Sequence, residues 1–80
     1  MSKSVSPNVP RPVSVKARKG VPLAVAGEMV EAVRDSWLIE DQWWTERPIR
    51  RHYHELVGVR GRNLVVFCDL RTGGWFRQTA

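Results

Sequence analysis

Trp43 and Trp44 stand side by side, and Arg47, Arg50, Arg51, His52, Tyr53 and His54 follow within a short span. Guanidinium groups contact phosphate through several N–H donors, and an indole face can stack on a base, so this pairing of types suits a polyanion that carries bases. Strand alternation places Arg50, His52 and His54 on one face about 7 Å apart step to step, which resembles the spacing of successive phosphates on an extended strand. A solvated outer face paired with nearby acids accounts for the same residues equally well. Adjacent side chains of an extended chain point to opposite faces, so one of Trp43 and Trp44 enters the core and the other stays near the surface.

Other reactive side chains do not assemble into a catalytic set. Cys68 lies in the apolar run VVFCDL and reads as a small buried hydrophobe whose thiol is, if anything, harder to ionise. His52 and His54 would give a metal only two ligands, with no cysteine or aspartate beside them, so no metal and no other cofactor is expected. Asp69, in DLRTGGW, is placed to cap a tight turn through backbone N–H groups. That glycine pair lacks the Lys-Ser or Lys-Thr ending of a phosphate loop. Without a nucleophile, base and oxyanion set, the sequence reads as non-enzymatic, with no evident small-molecule substrate.

The charges fall in three blocks. Residues 1 to 20 carry Lys3, Arg11, Lys16, Arg18 and Lys19 and no acid; residues 21 to 46 carry six acids against Arg34; residues 47 to 80 carry seven arginines against Glu55 and Asp69. The sum is +5, a balance that favours an acidic or polyanionic partner through encounter rate. A single cysteine excludes an internal disulfide and fits a reducing cytoplasm. There is no apolar stretch near the length of a signal peptide or a membrane span, so no membrane contact is expected.

The elements that must hold these groups are short strands. Eighty residues make one domain, and a chain of this size stabilises itself with a few large side chains, so four Trp, two Phe and one Tyr read as core material first. Residues 1 to 10 are too polar to fold alone and read as a disordered arm, leaving 11 to 80 as the domain. PVSVKAR alternates in period 2, and with VPLAV it forms a hairpin turning at Lys19-Gly20, Pro22 marking an edge strand. Residues 28 to 44 are ambiguous between a short helix and extended chain; two strands broken near Asp35-Ser36 are favoured, with Val33, Trp37 and Ile39 on one face. IRRHYHELV, LVVFCDL and WFRQ follow as strands separated by glycine-bearing turns. In the first of these, Ile49, Tyr53 and Val57 make an inner face interrupted by Arg51, unless the phase is reversed and Leu56 is inside. The fold class is all-β, a small antiparallel barrel of the Src-homology-3 type or a similar meander.

The order RPVSVKARKGVPLAV, a later Trp, WW linked to PIRRHYHELV, a glycine turn and LVVFCDLRTGGWFRQ resembles a small bacterial module. That module occurs alone or at the C-terminal end of ImuB-type proteins, inactive Y-family polymerase homologues of the damage-induced mutagenesis cassette. The similarity spans roughly Arg11 to Gln78, and its most specific pieces are Trp43-Trp44, the Arg51 to Tyr53 strand, and Asp69, Leu70, Gly74 and Trp75. The resemblance implies a role in DNA damage tolerance by translesion synthesis, with single-stranded or damaged DNA or other mutagenesis-cassette proteins as partners.

Together these readings single out Trp43, Trp44, Arg47, Arg50, Arg51, His52, Arg60, Arg62, Arg71 and Trp75 as a nucleic-acid or partner surface. The alternative is a protein-interaction module whose basic face meets an acidic partner without nucleic acid.

Overall fold

A computed structural model of the chain describes residues 10–41, 44–46 and 48–78. The arm expected over residues 1 to 10 therefore lies outside the described residues except for Pro10. Seven strands make up the fold: β1 (Arg11–Pro12), β2 (Val15–Arg18), β3 (Val21–Val25), β4 (Glu28–Asp41), β5 (Ile49–Gly58), β6 (Asn63–Asp69) and β7 (Trp75–Gln78). Every pairing is antiparallel, and the order across the sheet is β1-β7-β6-β5-β4-β3-β2.

That order forces the sheet to curl. β1 and β2 lie at its two edges, yet only Val13 and Ser14 separate them in the chain, and two residues reach only about 10 Å from Pro12 to Val15. The linking residues bond to both sides: the Val13 N–H donates to the Trp75 carbonyl at 3.1 Å, and the Ala26 N–H donates to the Ser14 carbonyl at 2.7 Å. The result is a curled antiparallel half-barrel, stitched at its edges by the segment from Arg11 to Arg18.

Local chemistry sets the turns. Lys19 and Gly20 have φ of 53° and 79°, and Ala26 and Gly27 have 49° and 84°. Two consecutive left-handed residues in a two-residue loop match the right-handed twist of the flanking strands, and glycine takes the second place without a Cβ penalty. The hairpin expected at Lys19-Gly20 is present. Pro22 lies in the part of β3 that pairs with β2 alone, since β4 meets β3 only at Ala24 and Val25. Its missing N–H is therefore harmless there.

Residues 28 to 41 correct the sequence reading. They form one strand of 14 residues with no turn at Asp35-Ser36. The register instead shifts between Val30 and Ala32 and again between Val33 and Asp35. Bulges absorb the extra residues while the ladder continues, and they put Val33 opposite Leu56 on one face and Trp37 and Ile39 on the other.

β5 also has the reversed phase. Leu56, at 0% exposed, and His54, at 2%, point inward, so Ile49, Tyr53 and Val57 do not form the inner face. Val25, Leu56, Leu64 and Val66 make the core cluster, with Val13, Val15, Val30 and Trp75 packed around it. Nor are the tryptophans chiefly core material: Trp37 and Trp44 are exposed and Trp75 is half-buried. The outer face is closed by a row of side chains in register on five strands: Pro12, Phe76, Phe67, Tyr53 and Trp37. Ring centroids are 5.5 Å apart for Trp37 and Tyr53, 4.8 Å for Tyr53 and Phe67, and 5.2 Å for Phe67 and Phe76. Such pairs add about 0.5–1.5 kcal/mol each beyond their burial.

Replacing Leu56 by Ala removes a side chain that every neighbouring strand packs against, so urea titration should show a loss of about 2–5 kcal/mol. Leu38→Ala, at a side chain that is exposed, should stay within about 0.5 kcal/mol of the parent.

Candidate nucleic-acid interface

The side chains singled out in the sequence separate into five places. Arg50, His52 and Trp75 share the inner face, where Trp75, Cys68, His52 and Leu38 stand in one row across β7, β6, β5 and β4. Arg51 lies on the outer face, its guanidinium carbon 4.6 Å from the centre of the Phe67 ring and its Nη1 donating to the Tyr53 hydroxyl at 3.3 Å. There it serves as a lid over the aromatic row, an interaction of about 0.5–2 kcal/mol. Arg60 and Arg62 sit in the turn at the far end of β6, and Arg71 in the turn at its near end, with Arg50. Trp44 is exposed in the connection between β4 and β5. Trp43 and Arg47 fall outside the described residues.

Several cations are already engaged. Glu28, a buried carboxylate, accepts from Arg62 Nη2 and from the Arg60 backbone N–H. Its carboxylate occupies the space a Cβ on Gly58 would need, so glycine at 58 lets the turn close over it. The hydrogen bond from Arg62 is the chief reason that Glu28 is held below the ordinary carboxylate range, with burial opposing. At the other end Arg50 Nε donates to Glu40 at 3.1 Å across an exposed pair, which is worth little in stability. Asp69 caps the β6–β7 turn as expected, its side chain accepting from the Arg71 N–H at 2.9 Å and its carbonyl accepting from the Gly73 N–H at 2.7 Å.

Register reveals a segregation of charge that no single strand displays. Across the paired positions of β1, β7, β6, β5 and β4, the inner face carries Arg11, Arg77 and Arg50 with two acids, Glu40, which Arg50 holds, and Glu28, which Arg62 holds. The outer face carries Arg51 with Asp35, Asp41, Glu55 and Asp69. Arg77 and Arg11 belong to the inner surface although neither lies in the cationic run from Arg47 to His54; Arg11 stands in β1, only two residues long, opposite Arg77 of β7. The signal was there in WFRQ: once Trp75 is placed inward, Arg77 must follow.

The polar centre of the inner face is His54. Its Nδ1 lies 2.9 Å from Ser36 Oγ, and its ring is 4.3 Å from that of His52 and 5.8 Å from that of Trp75, centre to centre. Nε2 is buried and has no hydrogen-bond partner among the described residues. Burial, and secondarily the charge of His52, pushes the His54 pKa down. Among the described residues no group of three or more His, Cys, Asp or Glu could hold a metal. Burial first, then Asp69, raises the Cys68 thiol pKa, so it stays protonated near neutrality. Among the described residues no helix is long and apolar enough to cross a membrane.

Comparison of the chain with protein-family models, with curated proteins and with solved structures finds no match.

Two pH limbs follow from the buried pair of groups. His54 is kept neutral by the fold, so its contribution is complete above its ordinary pKa of about 6.5 and is lost as pH falls below it, because the unfolded chain takes up a proton that the folded one resists. Glu28 is kept charged, so its contribution is complete above about 4.5 and is lost as pH falls through its lowered value. Thermal melts from pH 8 to 3 should show both declines. His54→Leu should abolish the upper one and Glu28→Gln the lower one.

Proposed function

We propose that this chain is a non-enzymatic accessory module that binds single-stranded nucleic acid on its inner face. The observation that supports this reading is the concentration of Arg11, Arg50 and Arg77 on that face while Asp35, Asp41, Glu55 and Asp69 lie on the other and the inward acids Glu40 and Glu28 are each held by an arginine. Arginine binds phosphate through a planar fork of donors, and three such groups on a stiff sheet match an extended backbone better than a duplex groove, which a helix or ribbon would enter. His52 and the half-buried Trp75 lie between Arg50 and Arg77, and they offer ring faces on which a base can stack for about 1–3 kcal/mol. Trp44 is exposed in the connection between β4 and β5, at the end of the sheet that carries Arg50. Arg51 and Arg62 contribute to folding instead, through Phe67 and Glu28, and Arg60 lies beside Arg62 in the turn at the far end of β6.

The resemblance to the module of ImuB-type proteins gives this activity a setting. Translesion synthesis exposes single-stranded template beside a polymerase, and a small module with this face would hold the template or dock the chain on the assembly that does. That setting is a proposal of the resemblance, and the binding chemistry does not depend on it.

Fluorescence anisotropy with a labelled single-stranded oligonucleotide tests the binding. Three phosphate contacts imply that affinity falls roughly 20-fold between 50 and 200 mM salt. Arg77→Glu and Arg50→Glu should each weaken binding and flatten that dependence, whereas Arg60→Glu should leave it nearly unchanged. Absence of binding at the lower salt would refute the reading, and equal affinity for poly-glutamate would assign the face to an acidic protein partner.

A further inference from the structure

β4 continues past its partners. β3 pairs with it only at Glu28 and Met29, while β5 accompanies it to Asp41. From Glu31 to Asp41, therefore, β5 is the one strand beside β4 among the described residues, and the other edge presents a row of backbone donors and acceptors. Trp37, Leu38 and Ile39 on this segment are 37%, 54% and 38% exposed, so apolar surface lies on both faces of an open edge. Such edges are templates for another strand unless they are guarded.

We propose that this edge pairs with the same edge of a second copy, antiparallel about a two-fold axis at Trp37. The sequence of the edge is self-complementary in that register. A two-fold axis perpendicular to the sheet keeps each face on its own side, so Trp37 meets Trp37 of the second copy, Ser36 meets Leu38, and Asp35 meets Ile39. Arg34, the extra residue of the bulge before Asp35, makes no ion pair among the described residues and comes beside Glu40 of the second copy, and the symmetry repeats this pair on the other side. The neighbouring registers are worse. Centring on Leu38 sets Asp35 against Asp41, and centring on Ser36 leaves Arg34 opposite Leu38 with its charge unmatched. The charges that would otherwise guard the edge thus select one pairing.

The aromatic row favours the same centre. Pro12, Phe76, Phe67, Tyr53 and Trp37 already stand in line across five strands, and Trp37 is its open end. Pairing Trp37 with its symmetry mate covers that end with the one side chain that continues the row at matching height. The same axis sets the two inner faces on one side of a continuous sheet, so the assembled pair would offer a double basic surface. The pairing itself rests on the β4 edge and not on the nucleic-acid reading.

Sedimentation equilibrium of the full chain, without nucleic acid and from micromolar to millimolar concentration, tests the pairing. The mass should rise from one chain to two. Arg34→Glu, which sets two carboxylates against each other on both sides, should weaken association about tenfold or more while leaving the circular dichroism unchanged. The double variant Arg34→Glu/Glu40→Arg should recover it, since the Arg50 to Glu40 pair it sacrifices is exposed. A single-chain mass throughout, or a dimer indifferent to Arg34→Glu, would overturn the proposal.

Discussion

The phase of β5 governs everything else in this molecule. Among the described residues it has the longest ladders on both of its sides, with β4 from Ile49 to Gly58 and with β6 from Arg51 to Val57. Because a strand alternates, fixing Leu56 in the core fixes His54 beneath it and Arg50 beyond, and it sends Arg51, Tyr53 and Glu55 to the opposite face. Slipping by one residue would set Glu55, with Tyr53 or Val57, where Leu56 and His54 now lie, and the desolvation of that charge would far exceed any gain from Tyr53. The bulges in β4 serve this phase, since they let a long partner keep pace with β5 without burying Glu31 or Arg34.

Tyr53 and Phe67 are buried on what would otherwise be the wet side of the sheet. A small domain has too little interior to stabilise itself from one face, and here the second face contributes through lateral stacking and a guanidinium cover. Arg51 explains why an arginine can interrupt an apolar alternation: it packs its stem and planar head on Phe67 while the charge remains in contact with solvent.

Much of this was legible from residue types, and the reasons for the remainder are specific. Alternation in PVSVKAR and glycines at the turns gave the all-β meander, and Asp69 followed by Thr72 and glycines gave its turn. Residues 28 to 41 were harder, because bulges break the period of two that identifies a strand; the apparent interruption at Asp35-Ser36 is a register shift, not a reversal. The aromatic row was invisible because its members are spaced by 16, 14 and 9 residues and meet only through pairing. The candidate cations were read from density along the chain, whereas faces and ends decide their use: Arg62 turned out to hold Glu28, Arg51 to cover a ring, and Arg77 to join the inner surface.

The link formed by Val13 and Ser14 has a consequence for how the molecule comes apart. In an open sheet the outermost strands fray independently, each protected only by its own neighbour. Here, one short stretch of backbone is bonded to the last strand on one side and to the β3–β4 turn on the other, so loosening either margin tugs on its opposite. Opening is thereby made cooperative around the whole circumference, and the seam closest to the N-terminus becomes the latch that a protease or a misplaced truncation would spring.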